Sequence, residues 1–254
     1  MKYSIAYKTI VTKEIRRFTR IWPQTVLPPV ITTSLYFLIF GTLIGSRIGL
    51  MDGHPYMEFI VPGIILMAVI NNSYSNVVSS FYSTKFQRQI EELLIAPVPN
   101  WIILAGYVSG GVARGLMVGS VVAIISNLFS EMHIQHYGIA LGVMLLTATL
   151  FSLAGFVNAT FANSFDDISI IPNFVLTPLI YLGGVFYSIS LLPELWQHVS
   201  LVNPIFYMVN AFRYGVLGVS DIEIGSAFLI IIAFNLVLAF ASLIFLNKGV
   251  GIKS

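Results

Sequence analysis

The chain has 254 residues, of which 57% are hydrophobic and only 9% charged, with a mean hydropathy of +0.87. A soluble domain carries about 25% charged residues, so an ordinary water-soluble fold is excluded: there is too little polar surface to cover it. The absence of cysteine removes disulfides and thiolate metal sites, and the net charge of +2 matters less than where the charges lie.

Residues 1–20 hold Lys2, Lys8, Lys13, Arg16, Arg17 and Arg20, interleaved with Ile5, Ile10, Val11, Ile15 and Phe18. No apolar core follows Met1 directly and no small-residue cleavage pattern is evident, so the stretch does not read as a cleavable signal. The interleaving predicts an amphipathic helix over 1–22 lying on an anionic leaflet; a basic tail that only sets orientation is the alternative. Residues 21–46 carry no charge. At ~1.5 Å per residue such a run reaches ~39 Å, more than the ~30 Å of bilayer hydrocarbon. A first span is predicted at 24–44, with Pro28 and Pro29 in its first turns, where proline is best tolerated. Residues 45–58, with Gly45, Gly49, Asp52, Gly53 and Pro55, read as a loop.

A second charge-free run, 59–84, predicts the next span and contains Asn71, Asn72, Ser73, Ser75 and Asn76. Such residues usually hydrogen-bond to neighbouring helices; lining a transport path is the functional alternative. The block 85–99, KFQRQIEELLIAPVP, then sets Lys85, Arg88, Glu91 and Glu92 among Ile90, Leu93, Leu94 and Ile95 and stops at Pro97 and Pro99. It reads as one short amphipathic helix on the membrane surface.

The third span, 101–129, carries Gly106, Gly110, Gly111, Gly115 and Gly119, small-xxx-small steps that let helices approach closely within one subunit or between two. Arg114 interrupts it. An arginine inside a span faces a partner, a cavity or the bundle interior, which makes Arg114 an intramembrane candidate; an ion pair with Asp166 or Asp167 is the structural alternative. A polar connection at 131–136 leads to a fourth span, 138–161, and FANSFDDIS (161–169) breaks the apolar pattern with two adjacent acids. A fifth span, 169–188, holds Pro172, Pro178, Gly183 and Gly184 and is expected to be bent or broken. Residues 189–223 alternate apolar stretches with Pro193, Trp196, Asn203, Pro204, Tyr207, Arg213 and Tyr214, which predicts re-entrant or interfacial helices. The last span is 225–246, followed by Lys248 and Lys253. The fold class is therefore all-α: a polytopic membrane protein, one domain over 1–254, with six transmembrane helices, an N-terminal interfacial helix and external re-entrant helices before the last span.

Basic residues set the orientation. With the N-terminus inside, ten lysines and arginines fall on cytoplasmic segments; Arg47 and Arg213 fall outside and Arg114 within a span. Both termini and 85–99 are then cytoplasmic, and 189–223 faces the other side.

No enzyme chemistry is evident. Walker A is absent, as is H-E-x-x-H. His54, His133, His136 and His198 lack ligand spacing; His133 and His136 near Glu131 could bind a metal weakly, but a solvated loop is the simpler reading. Asp166 and Asp167 could serve acid–base work, though adjacent acids at a membrane boundary more often cap helices or pair. No catalytic, cofactor or metal site is expected, and no nucleic-acid partner. A secondary transporter would show inverted repeats and ionisable groups inside its spans; no fixed-period repeat is visible and only Arg114 qualifies. A lipid-modifying enzyme would have only Asp166 and Asp167 to work with.

The stretch TPLIYLGGVFYSISLLPELWQHVSLVNPIFYMVNAFRYGVLG (177–218) resembles the signature of the type-2 ABC exporter permeases, with the LGGVFYS, NP and RYG elements in order. FANSFDDIS and EELLIAPVP also fit, and the resemblance extends from the basic N-terminal helix to the final span. It is greatest to the enterobacterial inner-membrane permeases that pair with a separate ATPase. The family implies two permease subunits forming the pathway above two ATPase subunits, in the bacterial inner membrane, exporting a drug-like, lipid-linked or glycan substrate. It implies that 85–95 docks into the ATPase, with Arg88, Glu91 and Glu92 as charged contacts and Ile90 and Leu94 as candidates for the apolar side. It implies that 190–218 closes the external mouth; Arg114, Asp166, Asp167 and Arg213 stand beside it as intramembrane or gating candidates by their charge. The small external loops argue against subfamilies with large extracellular domains.

Overall fold

A computed structural model describes residues 2–130 and 133–251, apart from the side chains of Lys2 and Ser46. Glu131 and Lys253, named above, lie outside the described residues. Among the described residues every regular element is helical, with one exception: a two-residue antiparallel hairpin pairing β1 (Leu50–Met51) with β2 (His54–Pro55).

Helix α1 (Lys2–Arg20) precedes α2 (Trp22–Tyr36), which continues as a π-helical segment, Phe37–Ile44, and the single turn α3 (Gly45–Ile48). The long helix α4 (Tyr56–Phe86) follows the hairpin, then the short α5 (Gln89–Ile95), α6 (Asn100–Ser126) and α7 (Tyr137–Phe161). A broken helix comes next: α8 (Asp167–Ile171), a π segment (Pro172–Leu176) and α9 (Thr177–Tyr181). A 3-10 turn (Ile189–Leu191), α10 (Glu194–Val202), α11 (Pro204–Leu217) and α12 (Ile224–Lys248) complete the chain. Five of these runs, Trp22–Ile44, Tyr56–Phe86, Asn100–Ser126, Tyr137–Phe161 and Ile224–Lys248, are long and apolar enough to cross a membrane.

The bundle is organised around α4, which packs on α6 and α7 and is buried along most of its length. It crosses α7 tightly, where a methyl group on Gly155 would sit 2.6 Å from the Tyr74 carbonyl oxygen; only glycine lets the two backbones meet there. Helix α11 is almost wholly buried between α4, α7 and α12. Its start is locally encoded: the Asn203 Oδ1 accepts from the Ile205 N–H at 3.0 Å, Pro204 fills the first helical position, and Gly218 ends the helix at φ +79°.

Several expected boundaries shift. The first long helix begins at Trp22, so Pro23 takes the tolerated first-turn position and Pro28 and Pro29 fall in the helix interior. The expected loop at 45–58 holds α3 and the hairpin, and α4 begins already at Tyr56. The expected fifth span ends as helix at Tyr181, because Gly183 and Gly184, the latter at φ +75°, turn the chain back. Its bend is a π segment beginning at Pro172, with the Thr177 hydroxyl donating to the Pro172 carbonyl at 2.9 Å.

Candidate functional site

The sequence-predicted residues fall into three groups rather than one site. The first is α5. Arg88 precedes it at φ +58°, a left-handed conformation unfavourable to a side-chain-bearing residue, and turns the chain off the end of α4. Ile90 is buried at 1% exposure, and Leu93 and Leu94 pack partly against the core. Ile90 is thus unavailable to an outside partner: it anchors α5 to the body. Arg88, Glu91, Glu92 and Ile95 face outward, Ile95 at 85% exposure. Ile95 is an apolar contact candidate that the charge pattern did not single out. Beneath α5 lies a cleft of about 510 Å³ whose walls include Lys13, Glu92, Leu93 and Tyr107.

The root of α5 is braced. Lys85 donates to the Thr160 and Ala162 carbonyls at 2.9 and 2.7 Å, capping the last turn of α7. Asp167 accepts from the Asn163 and Ser164 N–H groups at 2.8 and 3.1 Å, while the Ser164 Oγ accepts from the Asp167 N–H at 3.1 Å. That reciprocal pair is a capping box opening α8. Asp166 is exposed, and its carbonyl accepts from the Ser169 hydroxyl at 2.7 Å. Among the described residues, neither acid pairs with Arg114, and the ion pair entertained from sequence is set aside.

The second group is a polar stripe where α4 meets α1 and α6. The carboxylate of Glu14, fully buried, accepts from the Ser80 hydroxyl at 2.6 Å and faces Arg17 at 3.3 Å. Arg17 also donates to the carbonyl and the side-chain oxygen of Asn76, both at 2.8 Å. Tyr107 donates to Thr84 at 3.1 Å. This stripe was missed at the level of sequence. Its signal was Glu14 itself, the lone acid among the first 51 residues. One turn beyond Gly110 on α6, Arg114 reaches a cavity whose walls also carry Thr25, Pro28, Asn71, Asn72 and Ser75. The polar cluster at 71–76 thus divides: Asn76 binds α1, whereas Asn71 and Ser75 line a cavity.

The glycine face of α6 is consumed inside the chain. Positions 106 and 110 lie against Ile10 and Glu14 of α1, 111 against Ser152 and Val77, 115 against Ser73, and 119 against Val69. It therefore gives no support to packing between subunits.

The third group is at the opposite end of the bundle. Arg213 is buried at 1% exposure; it donates to the Gly184 carbonyl at 2.5 Å, lies 3.9 Å from the Asp221 carboxylate, and its guanidinium stacks 3.9 Å over the Phe59 ring. Asp221 also accepts from the Ser188 hydroxyl at 2.7 Å, and its N–H donates to the Asn210 side chain at 2.9 Å. One arginine thus fastens the 183–184 turn, α11 and the 218–223 connection to the start of α4. His136 stacks on Tyr214 at 5.1 Å nearby. Among the described residues no group of His, Cys, Asp and Glu is arranged to hold a metal ion.

Five apolar helices of spanning length, an amphipathic helix seated on one end and two short helices at the other, α11 buried and α10 largely exposed, define a multi-pass membrane protein. The sequence model of the ABC-2 type transporter family matches residues 5–217, and the chain belongs to that family. It is 55% identical over 252 residues to the inner membrane transport permease YadH of Escherichia coli strain K12, covering 99% of this chain and 98% of that protein. It is also similar to nodulation protein J of Sinorhizobium fredii, 24% identical over 182 residues covering 71% and 69% of the two chains. Nodulation protein J of Rhizobium meliloti is 22% identical over 192 residues, covering 75% and 73%.

Proposed function

We propose that this chain is the permease subunit of an ATP-driven exporter of the bacterial inner membrane, working as two copies with a separate ATPase. The carrying observation is α5: anchored through Ile90, it turns Arg88, Glu91, Glu92 and Ile95 outward at the end of the bundle where the bases of α1, Lys85 and Lys248 also gather. Family membership and the permease name of the Escherichia coli relative support the same reading. The concentration of bases at that end supports a cytoplasmic placement.

Six crossings are supported by parity. Asn100, at the start of α6, donates to Asn247, near the end of α12, at 2.7 Å, and α1 packs on the same part of α6. The chain therefore enters and leaves the bundle at one end, which needs an even number of crossings. On this reading the shorter apolar helix Asp167–Tyr181, with the turn after it, is the sixth. The transported substrate is drug-like, lipid-linked or a glycan on the family resemblance; the geometry of α5 bears on the motor alone.

Replacing both Glu91 and Glu92 with lysine reverses the charge of the exposed face. Copurification with the ATPase should weaken by about tenfold or more, while membrane insertion and self-association stay as in the wild type. Full ATP-driven export by the double variant would sink the docking assignment.

A further inference from the structure

Arg114 stands 14 residues into α6, ~21 Å from its start at 1.5 Å per residue. Side chains lean toward the N-terminus of their helix, so Arg114 reaches back toward the end that carries α5. It opens into a cavity of about 280 Å³ walled by α2, α4 and α6, where a single water needs roughly 15 Å³.

The cavity's surroundings are rich in donors. The buried Arg114 Nε has no hydrogen-bond partner, and the same is true of the Arg17 Nε, Asn76 Nδ2 and Ser73 Oγ between α1, α4 and α6. Arg114 makes no ion pair among the described residues. Among the described residues Glu14 is the one carboxylate that is fully buried, and Ser80 and Arg17 already occupy it. The other described acids lie at helix ends, in connections or on α5. Among the described residues no carboxylate of this chain reaches Arg114. Arg114 is partly buried, with its Nε enclosed; a guanidinium held there without a counter-charge is costly, and an anionic ligand in the cavity would supply the acceptor. The α2 wall offers the complement: Pro28 and Pro29 have no N–H, which leaves the Gln24 and Thr25 carbonyls without their helix donors.

We propose that the cavity between α2, α4 and α6 binds a phosphate ester that also carries hydroxyl groups, its anionic oxygens on Arg114 and its hydroxyls on the α2 carbonyls. A glycerol phosphate meets both demands, either as the headgroup of phosphatidylglycerol or as a soluble ester. The site is a property of the chain alone and does not rest on ATP-driven export.

The test is native mass spectrometry of the delipidated, full-length protein titrated separately with phosphatidylglycerol, phosphatidylcholine and glycerol phosphate. The wild type should retain phosphatidylglycerol in preference to phosphatidylcholine. The Arg114→Gln variant should lose about tenfold in affinity, the scale of one charge-assisted bond, and Arg114→Lys should recover part of it. Retention of glycerol phosphate as well assigns the site to soluble esters; retention of the lipid alone assigns it to the bilayer; either supports the proposal. Thr32→Phe, which fills the exposed side of the cavity while leaving Arg114 in place, should also abolish retention, and it decides the matter if Arg114→Gln does not fold. Equal retention of both lipids, wild-type affinity in either the Arg114→Gln or Thr32→Phe variant, or no retention by the wild type would each overturn it.

Discussion

Glu14 shows how one residue can hold a helix to a membrane bundle. Its carboxylate is dry, and its partners, Ser80 and Arg17, tie α1 to α4. Glu14→Ala leaves Arg17 uncompensated and Ser80 without its acceptor, and should lower stability by ~2 kcal/mol. Glu14→Gln, which keeps the acceptor, should cost less. Thermal unfolding of the purified protein in detergent measures both; equal melting temperatures for wild type and Glu14→Ala would refute the assignment. The role was hard to read in the sequence because a charged residue among lysines and arginines on an amphipathic segment looks solvated. Arg213 was equally opaque. Its position near RYG suggested a gate, but the stack on Phe59 joins residues 154 positions apart, which no local pattern announces.

At the scale of elements, the apolar runs were legible and their ends were not. Four of the five long helices have charge-free centres, as a bilayer span favours, and α6 alone carries a charge, Arg114, in its interior. The ends are not legible where charge marks the apparent boundary: α4 includes Glu58 and Lys85 in its terminal turns, and Lys85 finds its partners on α7. The NP and Gly218 signals of α11 were readable because capping is local chemistry. What the glycine-rich face of α6 packs against was not readable, since close approach says nothing about the partner. That face seats α1: a methyl group on Gly110 would lie 2.5 Å from the Glu14 Cβ. Gly110→Leu should therefore lift α1 from the bundle and expose it to limited proteolysis in proteoliposomes. Gly138, with open space around it, is the control position. Protection of α1 in the Gly110→Leu variant would contradict the packing.

For the whole molecule, the natural absence of cysteine makes topology directly measurable. Single cysteines at Gln89 and Asn163 should react with an impermeant maleimide from the cytoplasmic side only. Cysteines at Gln197 and Ser220 should react from the opposite side only. Asn163 and Gln197 flank the broken helix, so finding both accessible from one side would reduce the crossings to an odd number and defeat the parity argument.

Helix α4 connects the two ends mechanically. Its 31 residues form a rod ~46 Å long. Near one end Phe59 lies beneath Arg213, and near the other Lys85 grips the last carbonyls of α7 just before the chain turns into α5. Pro62, the one proline inside the rod, falls within a turn of Phe59. Pro62 has no N–H to offer the carbonyl four residues before it, so the rod's weakest turn lies next to the arginine clasp. A thrust applied at α5 would travel the rod and be spent at that turn. The two mouths of the bundle would then keep step without any signal passing through the space between them.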